Sequence, residues 1–75
     1  MDDQIIRLVY PPQLIDVPVI NQLIRSYELT VNILRAQVTP EEGWVEIQLT
    51  GKMVEIEEAI TWLVRQGIEV LRLDN

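Results

Sequence analysis

Trp44-Val45-Glu46-Ile47-Gln48-Leu49-Thr50 is the clearest period-two stretch in the chain: Val45, Ile47 and Leu49 fall on one side of an extended backbone, and Trp44, Glu46, Gln48 and Thr50 fall on the other. One aliphatic side and one mixed side describe a strand of a sheet that is covered on a single face. Just upstream, Pro40-Glu41-Glu42-Gly43 has turn chemistry, with Pro suited to the second turn position and Gly to a positive-φ exit, so Leu29–Val38 is the preceding strand of a hairpin. Downstream of Gly51, Met53, Ile56, Ala59, Ile60, Leu63 and Val64 make an apolar helical stripe opposite Glu55 and Glu58, and Gly67 ends that helix. Ile68–Leu73 is the last strand.

Towards the N-terminus, Gln4–Tyr10 is a short β-branched run stopped by Pro11-Pro12, which cannot continue a ladder. Asp16 is suited to cap a helix with Pro18 in its first turn, and Ile20, Leu23, Ile24 and Tyr27 recur at helical spacing, so the first helix is expected over Val17–Tyr27. The resulting order is β-α-β-β-α-β. With right-handed crossovers it predicts an α+β, ferredoxin-like sandwich: a four-stranded antiparallel sheet, first and third strands central, both helices on one face. A chain of 75 residues has room for one domain, residues 1–75, with one modest core. Its open sheet face is expected to carry Ile5, Arg7 and Val9 beside Trp44, Glu46 and Gln48.

Composition removes many functions. Without Cys or His, no disulfide, thiolate zinc site, iron–sulfur ligand set or Ser-His relay can be built, and no pair of ionisable residues signals a catalytic cleft. No enzyme, cofactor or metal site is expected; Glu55, Glu57 and Glu58 fit the solvated first turns of a helix, where the dipole favours them. Twelve acidic against six basic residues give a net charge of −6, the wrong sign for tracking phosphates, so nucleic acid is not an expected partner. Pro11-Pro12 withholds the backbone amides that an anion-binding loop after the first strand would need. Neither a signal-peptide core nor an apolar run of membrane length is visible, which leads to the expectation of a cytoplasmic protein without membrane insertion. Domains this small often depend on a staple or an associate, and with the staples closed, pairing with a second copy or with another protein is expected.

Thr30-Val31-Asn32-Ile33-Leu34-Arg35-Ala36-Gln37-Val38 fits no single alternation. If Val31 and Ile33 point under the helices, Arg35 and Gln37 follow; if Leu34, Ala36 and Val38 do, Asn32 joins them and Val31 and Ile33 lie on the open face. The second phase is the cheaper, because it desolvates a neutral amide in place of a guanidinium. A bulge near Ile33 would reset the phase. Asn32, a poor strand former, needs partners for its amide, either protein atoms or a ligand.

The same residues resemble a known family. Val31-Asn32-Ile33-Leu34 with Ala36-Gln37, Gly43, Gly51, Ala59-Ile60-Thr61-Trp62-Leu63 and Gly67-Ile68-Glu69-Val70 are similar to the NIL domain, named for the Asn-Ile-Leu tripeptide, over essentially the whole chain. The resemblance implies a sensor of the kind found at the C-terminus of methionine ABC importer ATPases, where the domain pairs with a second copy and binds methionine. It implies Asn32 as a ligand contact, with Ile33 and Leu34 lining the site. Many relatives have Gly where Ala36 stands, a difference that would narrow close approach of a ligand to the backbone. The chain lacks the phosphate loop of an ATPase, so the domain is read as standing alone. Ile5, Val9, Val31 and Trp44 are the interface candidates. Two functions follow: an amino-acid sensor, for methionine or a relative, at a homodimer interface, or an interaction module that docks on a transporter or ferredoxin-type partner without a small ligand.

Overall fold

The alternating stretch forms the strand on which the sheet is assembled. In the computed structural model, which describes residues 1–73, β1 (Asp2–Tyr10) and β2 (Thr30–Val38) flank β3 (Gly43–Gly51), and β4 (Glu69–Arg72) lies beyond β1, giving an antiparallel sheet of order β2-β3-β1-β4. Strands one and three are central, as the chain order requires. Helices α1 (Val19–Ser26) and α2 (Met53–Arg65) complete the ferredoxin-like α+β order, with a short 3₁₀ turn at Pro12–Leu14 after β1. Asp2 and Asp3 extend the first strand beyond the expected Gln4, pairing with Gly51 and Thr50.

The core follows the two periodicities. Ile6 and Leu8 of β1 and Val45, Ile47 and Leu49 of β3 meet Val19 and Leu23 of α1 and Ile56, Ala59, Ile60 and Leu63 of α2, all buried. Each large aliphatic side chain so buried stabilises the fold by about 1.5–3 kcal/mol before entropy is counted. Met53 and Val64, at the margins of the α2 stripe, remain exposed. Trp62 packs edge-on against Tyr27, ring centroids 6.4 Å apart, tying α2 to the end of α1.

Both ends of the first helix depart from expectation, and Tyr27 lies just beyond its last turn in extended conformation. The first helix starts at Val19, not Val17, and Asp16 does not cap it; Pro18 holds the cap position, and its carbonyl accepts the first helical bond, from the Gln22 N–H at 3.1 Å. The residue before a proline avoids the helical region, so the helix cannot begin at Val17. At the other helix, Gly67 has φ +97°, donates its N–H to the Val64 carbonyl and is followed by Ile68 donating to Leu63, the paired closure expected of a left-handed glycine. Gly43, in contrast, does not adopt the positive φ expected of it. The hairpin is closed upstream, by the Thr39 N–H on the Glu42 carbonyl at 2.7 Å and the Glu42 N–H on the Thr39 hydroxyl at 3.1 Å, so Gly43 is simply the first residue of β3.

Strand β2 resolves the alternation problem with a bulge. Ile33 pairs with Ile47 and Arg35 with Glu46, leaving Leu34 as an extra residue. Residues directly opposite in an antiparallel pair share a face. Val31 (opposite Leu49), Ile33 (opposite Ile47) and Ala36 (opposite Val45) therefore share the helix side of the sheet, with Val38 in the same phase. Asn32 (opposite Gln48), Arg35 (opposite Glu46) and Gln37 (opposite Trp44) share the open side. The inward phase expected for Asn32, and the outward one for Val31 and Ile33, are corrected accordingly. Neither an amide nor a guanidinium is buried under the helices, because the irregular step shifts the phase between them.

Candidate functional site

Four strands present an ordered grid on the open face. Ile5, Arg7 and Val9 of β1 lie opposite Gln48, Glu46 and Trp44 of β3, which in turn lie opposite Asn32, Arg35 and Gln37 of β2; Glu69 and Leu71 of β4 complete it. The mixed surface expected from β1 and β3 is present. Its centre is ionic: Glu46 is only 4% exposed although no helix covers it. Arg35 Nε donates to Glu46 Oε1 at 2.5 Å and Arg35 Nη2 to Oε2 at 3.4 Å, while Arg7 donates to Oε2 from Nε at 2.8 Å and from Nη2. Both guanidiniums lie by the Trp44 ring, Cζ to centroid 4.5 Å for Arg7 and 5.8 Å for Arg35, within cation–π range. The hydrogen bonds from Arg35, then those from Arg7, hold the Glu46 carboxyl below its ordinary value of 4.5, and the bond to Glu46 raises the Arg35 guanidinium above its own.

Asn32 is exposed, and among the described residues its amide makes no hydrogen bond within the chain; nor does that of Gln48 opposite it. The question posed by a polar residue in this strand thus resolves toward the outside of the molecule. Ile33 sits on the other side of the sheet, 56% exposed, and Leu34 at the bulge is also exposed. The three candidate ligand residues meet only along the outer edge of β2. Of the interface candidates, Ile5, Val9 and Trp44 share the open face, whereas Val31 packs from the helix side against the core.

Eight of the nine β2 residues are exposed, and among the described residues β2 pairs only with β3. A separate apolar recess of about 240 Å³ opens at the start of α1, lined by Tyr10, Val17, Val19, Ile20, Val38 and Val45 among others, and burial there raises the Tyr10 hydroxyl above its usual value. Among the described residues no cluster of acidic side chains suited to a metal ion is found, and no helix is long and apolar enough to cross a membrane. The ionic cluster was only half visible in the sequence: Arg7 and Glu46 were placed on one face, but pairing Arg35 with Glu46 needed the register that the bulge sets.

A family model described as the NIL domain matches residues 4–71. The methionine import ATP-binding protein of Cupriavidus pinatubonensis is 30% identical over 97% of this chain, which spans only 22% of that protein. An uncharacterised protein of Synechococcus elongatus is 35% identical over 87% of this chain and 84% of its own length. Among solved structures, the C-terminal domain of an ABC transporter ATP-binding protein from Enterococcus faecalis superposes with a TM-score of 0.81 at 25% identity, over 96% of this chain and 84% of that one.

Proposed function

Because the chain belongs to the NIL domain family, we propose that it is a non-catalytic regulatory domain of the cytoplasm that pairs with a second copy and binds methionine or a related amino acid where the two copies meet. The observation that carries this reading is the β2 edge. It is a nine-residue strand that among the described residues has no neighbour on its outer side, with Val31, Ile33, Ala36 and Val38 along one face and Asn32, Arg35 and Gln37 along the other. An unpaired edge of this length is a template for another strand, and apart from Arg35, which Glu46 occupies, it carries no charge to deter one.

The edge also reconciles the ligand candidates. A ligand on either face alone reaches Asn32 or Ile33 but not both, whereas one seated over the edge reaches Asn32, Ile33 and Leu34 together. Val31 continues that seam. Ile5, Val9 and Trp44 form a second contact surface on the open face, available to the same partner or to the ligand.

The whole of residues 1–75 acts in this reading as one domain. Support comes from the kinship with methionine import ATP-binding proteins and from the solvent-facing amide of Asn32. Light scattering with and without L-methionine, alongside amide NMR, tests it. A dimer mass and shifts centred on residues 30–38 are expected; a monomer at every concentration, silent to methionine and to the other amino acids, fits instead a module that docks on a partner protein.

A further inference from the structure

Two guanidiniums share one carboxylate on the open face, so the trio of Arg7, Glu46 and Arg35 carries a residual charge of +1 in a chain whose net charge is −6. Each arginine contacts Glu46 through Nε and Nη2 alone; among the described residues Nη1 of both meets no acceptor. Arg35 is the more accessible of the two, its side chain 67% exposed against 32% for Arg7. Its guanidinium is nevertheless held in place, by the bond to Glu46 and the nearby Trp44 ring. The ordering entropy of that long side chain is therefore lost in folding and not in binding. A fixed guanidinium with unused donors is the group that recognises a carboxylate.

One register step along the same face, the amides of Asn32 and Gln48 stand opposite each other, and among the described residues neither has a hydrogen-bond partner. Their carbonyl oxygens accept from an ammonium group. A carboxylate donor set and an ammonium acceptor set on neighbouring positions complement the two charged groups that every free α-amino acid carries on one carbon.

We propose that Arg35 is the carboxylate anchor of an α-amino-acid ligand whose ammonium group is taken by the side-chain carbonyls of Asn32 and Gln48, with Glu46 and Trp44 as positioning residues for the guanidinium. This assignment rests on reading the domain as an amino-acid sensor and names the residue that reads the carboxylate. It also makes the ligand's charge matter: the neutral amides cannot substitute for Arg35, and an analogue without a carboxylate loses the ionic half of the site.

The test titrates L-methionine and L-methioninol, in which a hydroxymethyl group replaces the carboxylate, into the wild-type protein, R35Q and R35K, following the backbone amides of Asn32 and Gln48 and the Trp44 indole N–H by NMR. The wild type is expected to bind methionine at least ten-fold more tightly than methioninol. R35Q should weaken methionine by ten-fold or more and abolish the discrimination while leaving methioninol unchanged, and R35K, which keeps the charge but not the fork, should fall between. Equal affinity of the wild type for the two compounds overturns the assignment without requiring any variant to fold. Full methionine affinity with intact discrimination in R35Q overturns it while the sensor reading survives. No response of the wild type to methionine or any other amino acid overturns both.

Discussion

Arg35 and Glu46 face each other across the irregular step of the β2–β3 pairing, where Leu34 is the extra residue, and their 2.5 Å bond closes a line of charge running from β1 through β3 to the edge. That line turns an otherwise uncovered sheet face into a place where a carboxylate is almost fully shielded from water.

Acid sensitivity follows from this pairing. The folded-state pKa of Glu46 is depressed by its bonds from Arg35 and Arg7, so its contribution is fully present above the ordinary value of 4.5 and is lost as pH falls through the lower folded value. Glu57, bonded by Arg72 on the opposite side, is lowered in the same sense but is well exposed and adds little. Thermal unfolding measured from pH 7 to pH 2.5 should therefore show the melting temperature of the wild type falling below pH 4.5. In E46Q it should start lower at neutral pH and fall less steeply, with up to one proton fewer taken up on unfolding in that range. An E46Q acid limb parallel to that of the wild type would mean that Glu46 is not a paired carboxylate in solution.

The two glycines that flank the second half of the chain are expected to differ. Gly67 has φ +97°, which an L side chain adopts only with strain, so Gly67→Ala should cost about 1 kcal/mol. At Gly43 an added Cβ would meet its nearest neighbours at 3.7–3.9 Å, ordinary contact distances, and φ is not positive. Gly43→Ala should be neutral or stabilising by up to about 0.5–1 kcal/mol, since glycine is the costlier residue in a strand. Urea unfolding of the two variants checks the pair; equal losses would contradict the closure of the hairpin at Thr39 and Glu42.

Much of this was legible in the chain because period two and period 3.6 leave unmistakable marks on strongly apolar elements. Val45, Ile47 and Leu49, and Ile56, Ala59, Ile60 and Leu63, all lie where their spacing put them. The edge strand was not legible, for a physical reason: a bulge adds one residue without adding a partner, so both regular phases of Val31 to Val38 are wrong for half of the strand. The candidate site inherits this. Asn32 was recognised as the residue needing a partner, but its face, and the company of Arg35, Glu46 and Gln48, depend on register across β3, which single-strand alternation does not carry. The first helix lies where its spacing puts it, but its start does not, through one local rule: the restriction that Pro18 places on Val17.

Pairing through the edge can be separated from folding. Ile33 and Val38 are 56% and 64% exposed on the helix side of β2, so a charge at either costs the isolated domain little, roughly within 0.5 kcal/mol for an exposed position. At a strand edge, a lysine deters the approach of another strand. I33K and V38K should thus keep the melting profile of a monomeric sample while moving the dimer–monomer midpoint in sedimentation velocity to at least ten-fold higher concentration. A wild-type midpoint in both variants would move the contact surface to the open face, where Ile5, Val9 and Trp44 lie.

Removal of Leu34 gives the most direct reading of the bulge. Deleting a residue from a strand ordinarily throws every later side chain onto the wrong face. Here the deletion would bring Arg35 directly after Ile33, so that Ile33–Ile47, Arg35–Glu46, Ala36–Val45 and Gln37–Trp44 become consecutive pairs of a regular ladder with all faces unchanged. The shortened protein should fold, keep the Arg35–Glu46 contact, and melt within a few degrees of the wild type, about 1 kcal/mol or less in a domain of this size. Its affinity for methionine should fall without vanishing, because a candidate ligand contact is removed while Asn32, Arg35 and Gln48 keep their face. Two-dimensional amide titrations with ligand decide the matter: a folded variant of weakened affinity assigns the bulge to binding, one of full affinity removes Leu34 from the site, and an unfolded one assigns Leu34 to the stability of the sheet.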